Sequence, residues 1–121
     1  MAVTEFGKIL RKIRIDHNEV LLNMARKLEV TASYLSAVEN GKRNIPTAWL
    51  DLLPQIYSLS TQSAEELRQT ATAQMKSVKL DLDHANEKRR DVAFAFARQI
   101  DELDDKMLEQ LKTILIQKEK N

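Results

Sequence analysis

With 121 residues, the chain can hold one core of useful size, or one small domain and an appendage. Hydrophobic residues at 43% suffice to fold it and charged residues at 31% keep it in solution, while two Gly and two Pro are too few for the turns of an all-β protein, which leaves helices. The lack of cysteine excludes disulfides and thiolate metal sites, and with no apolar signal region in MAVTEFGKILRK and no membrane-length apolar stretch, a cytoplasmic location is expected.

The net charge of +1 says nothing about nucleic acid, so its distribution matters more. Residues 1–46 carry eight Lys/Arg against five Asp/Glu, 47–83 three against five, and 84–121 eight against eight. The N-terminal excess is modest and carries little weight by itself.

Four short helical stripes fill the first sixty or so residues. Phe6, Ile9, Leu10 and Ile13 recur at helical spacing after Thr4, a candidate N-cap. Leu21, Ala25 and Leu28 form the second stripe, with Asn18 as its expected cap. Leu35 and Val38 form a third that starts at Thr31 and stops at Asn40-Gly41, where a glycine supplies the left-handed conformation that ends helices. Trp49, Leu52, Leu53 and Ile56 follow Pro46, with Pro54 expected to kink this helix or delay its start. A fifth helix is expected from Ser63 to about Met75, with Glu66 completing a capping box.

The period then changes. From Val78 to Asp83 apolar and polar residues alternate, the signature of a short half-buried strand that needs a partner in this chain or another copy. After Asn86 as a cap, Val92, Phe96, Ile100 and Leu103 form one stripe, while Phe94, Ala95 and Ala97 make the other side apolar too. Asp104 or Asp105 caps a last helix with Met107, Leu108, Leu111, Ile114 and Leu115 inward, and the two helices read as a hairpin.

The most informative segment is MARKLEVTASYLSAVENGKRNIP, residues 24–46: a helix, a tight turn around Leu28–Val30, and a second helix capped by Thr31. Val30, Leu35 and Val38 pin the second helix, and Ala25 is small where the two cross. Its other face, Ala32, Ser33, Tyr34, Ser36 and Ala37, is left outward, and a helix presented that way fits a DNA major groove.

From about Phe6 to Leu59 the chain resembles the Cro/CI-type (Xre) family of helix-turn-helix repressors, found in bacteria and phages. The resemblance rests on Leu10-Arg11-x-x-Arg14, on Ala25 and Leu28, and on Val30-Thr31-x-x-x-Leu35-Ser36-x-Val38-Glu39-Asn40-Gly41-Lys42-Arg43-x-x-Pro46. It implies a mainly all-α fold, with a lambda-repressor-like DNA-binding domain over residues 1–76. A C-terminal helical hairpin with one short strand, residues 77–121, would serve dimerisation or a protein partner. It also implies an ion pair between Arg14 and Glu39, phosphate contacts from Asn40, Lys42, Arg43 and Asn44, and base reading by Ala32, Ser33, Tyr34, Ser36 and Ala37. That reading set lacks the bidentate Gln, Asn or Arg readers, so DNA shape is expected to carry much of the specificity. Two positions depart from the family: Val20-Leu21 stands where Ser-Gln often begins the second helix, and Glu29 replaces the usual turn glycine.

Lys8, Arg11, Lys12, Arg26 and Lys27 read as solvated helix faces, and Trp49 as core. Tyr34 either meets DNA or rests against its own domain. His17 and His84 have no ligand partner at helical spacing, so no metal is expected. Ser33, Ser36 and Ser77 lack an associated His, and Asp101, Glu102, Asp104 and Asp105 read as caps and a solvated turn. Without a glycine-rich phosphate loop either, neither an enzyme nor a cofactor is expected. Val78, Leu80, Leu82, Phe94, Phe96, Leu111 and Leu115 are the expected dimerisation residues. The alternative is that an autoregulating antitoxin or peptidase-controlled repressor uses this region to bind a toxin or a metallopeptidase.

Overall fold

Side-chain caps set the starts of most helices. The computed structural model describes residues 3–120 and holds seven α-helices, with no strand among the described residues. Helix α1 spans Glu5–Asp16, α2 Leu21–Lys27, α3 Ala32–Glu39, α4 Trp49–Ile56, α5 Thr61–Gln74, α6 Glu87–Gln99 and α7 Asp105–Lys120. Thr4, Thr31, Ser60, Asn86 and Asp104 each accept a first-turn backbone N–H through a side-chain oxygen, at 2.9–3.1 Å. Each such bond satisfies a donor that the helix itself cannot.

Two starts differ from expectation. Helix α2 is preceded by Val20, whose own N–H donates to Asn23 Oδ1 at 2.8 Å, while Asn18 takes a left-handed φ of 54° where the chain leaves α1. Asn18 is therefore a turn residue and caps nothing. Helix α5 starts at Thr61 rather than Ser63, because the Ser60 hydroxyl takes the cap position. Pro54 lies within α4 and removes one internal donor, and the helix is only eight residues long.

The chain divides into two compact units, one ending at Lys79 and one beginning at Leu80. In the first, α1 packs on α3 and α5, α2 on α3, and α4 on α5. Phe6, Leu10, Met24, Leu35, Val38, Leu53 and Leu67 are fully buried where these helices meet, and Trp49 and Tyr57 nearly so. Each large apolar side chain removed from water contributes roughly 1.5–3 kcal/mol before entropy is counted.

The second unit has a different character: among its described side chains, residues 80–119, none is buried. Phe94 is 50% exposed, Phe96 45%, Ile114 61% and Leu115 65%, so the apolar residues expected to face inward remain open. The expected hairpin is not closed, because α6 and α7 do not pack along their lengths. Apolar side chains project from more than one side of α6, and a single second helix cannot cover them. The expected strand is also absent, with no regular structure over residues 78–82. Val78 and Leu80 are exposed, and among the described residues no neighbouring strand offers the backbone a partner. No described helix is long and apolar enough to cross a membrane.

Candidate nucleic-acid interface

Helix α3 is held by one face and leaves the other open. Leu35 and Val38 are fully buried and Glu39 is 2% exposed, which fixes its roll against α1 and α2. On the opposite side Ser33 is exposed, while Ala32, Tyr34, Ser36 and Ala37 are half-buried. The turn into α3 is tight: Val30 N–H donates to Ala25 O at 3.0 Å, and Glu29 takes a φ of 59°. A non-glycine residue in that region costs about 1–2 kcal/mol, which the surrounding packing must offset.

The far end of α3 is fastened to α1. Arg14 Nη1 donates to Glu39 Oε2 at 2.5 Å and Nη2 to Oε1 at 3.1 Å, a two-pronged pair with both residues buried. Arg11 Nε adds a third positive contact at 3.6 Å from Oε1. Thr4 binds the same point, its backbone N–H and its hydroxyl both donating to Glu39 O at 2.9 Å. Gly7 permits this approach, since a Cβ there would stand 2.4 Å from Glu39 O. Thr4 and Gly7 were not anticipated as parts of the site, because no local pattern in the sequence marks their contact with the distant Glu39.

Behind α3 the chain turns back on the helix. Asn40 N–H donates to Ser36 O and Gly41 N–H to Val38 O, with Gly41 at a φ of 77°. Lys42 and Arg43 both donate backbone N–H groups to Ala37 O, at 2.9 and 3.3 Å. Ile45, 3% exposed, anchors the outgoing part of the loop. The result is an exposed pair of cations next to the open face of α3, where the helix C-terminus also favours positive charge. The Arg43 guanidinium lies 5.7 Å from the Tyr34 ring centroid, and Tyr34 meets Trp49 edge-on at 6.1 Å. The Tyr34 ring thus rests against its own domain and carries Arg43. Asn44 is engaged elsewhere, its Nδ2 donating to Ser77 O at 2.9 Å and to Ser77 Oγ at 3.0 Å.

Ion pairing sorts the remaining cations of the first unit. Lys8, Arg11, Lys12, Arg14, Lys27 and Arg68 each pair with a carboxylate. Among the described residues, Arg26, Lys42, Arg43, Lys76 and Lys79 have no acidic partner.

A second polar cluster braces the α1–α2 connection. The Tyr57 hydroxyl donates to Glu19 Oε1 at 2.7 Å, and the Lys27 ammonium binds Glu19 Oε2. Lys27 also lies 4.9 Å from the centroid of the Tyr57 ring, which His17 meets edge-on at 5.0 Å. Burial works against the Glu19 carboxylate, but bonds from Lys27 and Tyr57 outweigh it and hold its pKa below the usual glutamate value. Burial, then the bond to Glu19, pushes the Tyr57 phenol well above its usual range. Lys27 is therefore committed to holding the fold together.

The expected dimerisation residues divide by exposure: Val78, Leu80, Phe94, Phe96 and Leu115 are exposed, Leu82 and Leu111 half-buried. No group of three or more His, Asp or Glu able to hold a metal occurs among the described residues. No protein-family model, curated protein or solved structure matches the chain.

Proposed function

We propose that this chain is a sequence-specific DNA-binding transcriptional regulator of the Cro/CI-type (Xre) class, a binding protein rather than a catalyst. In this reading α2 and α3 form the helix-turn-helix of a lambda-repressor-like domain. The observation that carries it is the joint placement of an open α3 face and, directly behind that helix, the exposed Lys42 and Arg43, which have no acidic partner among the described residues. Helix α3 would enter the major groove, while the two cations hold the phosphate backbone and release counterions. Ser33 and Ser36 offer hydroxyls to base edges, and Ala32 and Ala37 offer methyl contact to thymine.

A palindromic operator requires two copies. The uncovered apolar sides of α6 and α7 support homodimerisation through Phe94, Phe96, Leu111 and Leu115, with Val78, Leu80 and Leu82 available to the same contact. Two recognition helices would then lie about 34 Å apart, and an occupied operator would exclude polymerase from a cytoplasmic promoter. The same open sides favour one second reading, in which an autoregulating antitoxin or a peptidase-controlled repressor docks a toxin or a metallopeptidase there. A neighbouring gene for a small basic ribonuclease, or for a protein with a His-Glu-x-x-His motif, distinguishes these partners.

The deciding experiment selects bound sites from a random duplex pool with the full chain. A palindrome with half-sites about 10–10.5 base pairs apart is expected, and its binding should be abolished in K42Q/R43Q. Absence of any enriched site, or undiminished binding by that variant at low salt, would overturn the proposal.

A further inference from the structure

Asn44 sits in the loop behind α3, yet its amide is spent on a segment of chain 33 residues away. Ser77 belongs to the stretch 76–79 that leaves α5 without regular structure. Met75, just before it, is half-buried against the core. The stretch is therefore held at its root by Met75 and at Ser77 by Asn44, while the side chains of Lys76, Ser77, Val78 and Lys79 are all exposed. Successive Cα atoms are about 3.8 Å apart, so Lys76 and Lys79 both lie within about 8 Å of the clamped residue.

The ion pairing of the first unit makes this placement meaningful. Most of its cations are neutralised by carboxylates, and those without an acidic partner among the described residues are Arg26, Lys42, Arg43, Lys76 and Lys79. Two of these belong to the loop that carries Asn44, and two more flank the serine that Asn44 holds. One side-chain clamp thus ties together two short basic segments from distant parts of the sequence.

We infer that residues 76–79 form a second phosphate-binding strip for duplex DNA, with Asn44 as its positioning residue; the inference rests on the DNA-binding reading above. Lys76 and Lys79 supply the charge. The Ser77 oxygen accepts from Asn44, so its hydroxyl hydrogen remains free to donate to a phosphate oxygen. Asn44 itself then contributes through the strip it holds instead of through a phosphate of its own.

Salt dependence separates these roles, because only a neutralised phosphate releases counterions. The full chain is titrated against a fluorescently labelled mixed-sequence duplex of about 30 base pairs, between about 50 and 200 mM salt. K76Q/K79Q should lower the slope of log affinity against log salt by about 1.8 and weaken binding about 60-fold at about 0.1 M salt. Asn44→Ala removes no charge, yet it should lower the slope by about 1 or more, because the lysines lose their placement. An unchanged slope in K76Q/K79Q overturns the inference. So does an Asn44→Ala variant that binds more weakly at unchanged slope, since that is the behaviour of a neutral phosphate donor. If the wild-type chain holds no duplex even at the lowest salt, the DNA-binding reading falls, and that result is distinct from either of these. Unaltered melting followed by Trp49 emission verifies that each variant is folded.

Discussion

Replacing Glu39 with alanine strands a positive charge inside the first unit. The Arg14 side chain is 9% exposed, and its other hydrogen-bond neighbour is the Met24 thioether at 3.3 Å, a weak acceptor. Removing one partner of a buried pair costs about 3–5 kcal/mol, because the survivor keeps its desolvation penalty and loses its compensation. A unit of this length has roughly 4–12 kcal/mol of stability in total, so Glu39→Ala brings it close to unfolding. The converse change, Arg14→Ala, should cost less, about 2–3 kcal/mol, since Arg11 already stands 3.6 Å from the Glu39 carboxylate and can partly replace the lost charge. Removing both charges, with Arg14→Met and Glu39→Leu, should restore most of the loss. Urea unfolding followed by Trp49 fluorescence measures all three, as this is the sole tryptophan and is 3% exposed in the first unit. With a urea slope near 1 kcal/mol/M, Glu39→Ala should lower the midpoint by about 3 M or more. A loss below about 1 kcal/mol would refute the reasoning, because it would make the pair no stronger than one in open solvent.

Gly7→Ala should destabilise by about 1–3 kcal/mol in the same assay despite a helix-propensity gain of about 1 kcal/mol, because the new methyl meets backbone atoms of Glu39. Glu29→Gly should stabilise by about 0.5–1 kcal/mol, as relief of the left-handed φ exceeds the entropy that glycine adds to the unfolded chain. The depressed Glu19 pKa stabilises the fold above the ordinary glutamate value of 4.5, and that contribution is lost as pH falls through the lower folded value. Tyr57→Phe removes one of the bonds that depress it, so stability at neutral pH should drop by about 1 kcal/mol and the acid limb should become shallower in pH-dependent urea titrations. Phe94→Glu with Phe96→Glu should convert a dimer to a monomer in sedimentation at tens of micromolar while leaving the Trp49 transition in place; a wild-type chain already monomeric there would exclude self-association through α6.

The amino-acid sequence determined what depends on neighbours a few residues apart. Apolar spacing located the helices, and Thr4, Thr31 and Asn86 marked three of their starts, because a cap and its first-turn N–H are three residues apart. The Arg14–Glu39 pair came from the family resemblance, since nothing local links residues 25 apart. The predicted strand at 78–82 failed because alternation is only half of a strand; the other half is a partner, and the described residues supply none. Tertiary structure alone decided that Thr4 and Gly7 meet the end of α3, that Tyr34 leans on Trp49, and that Asn44 reaches Ser77. Those contacts close loops of many residues, and their geometry exists only after the core has set the angles between helices.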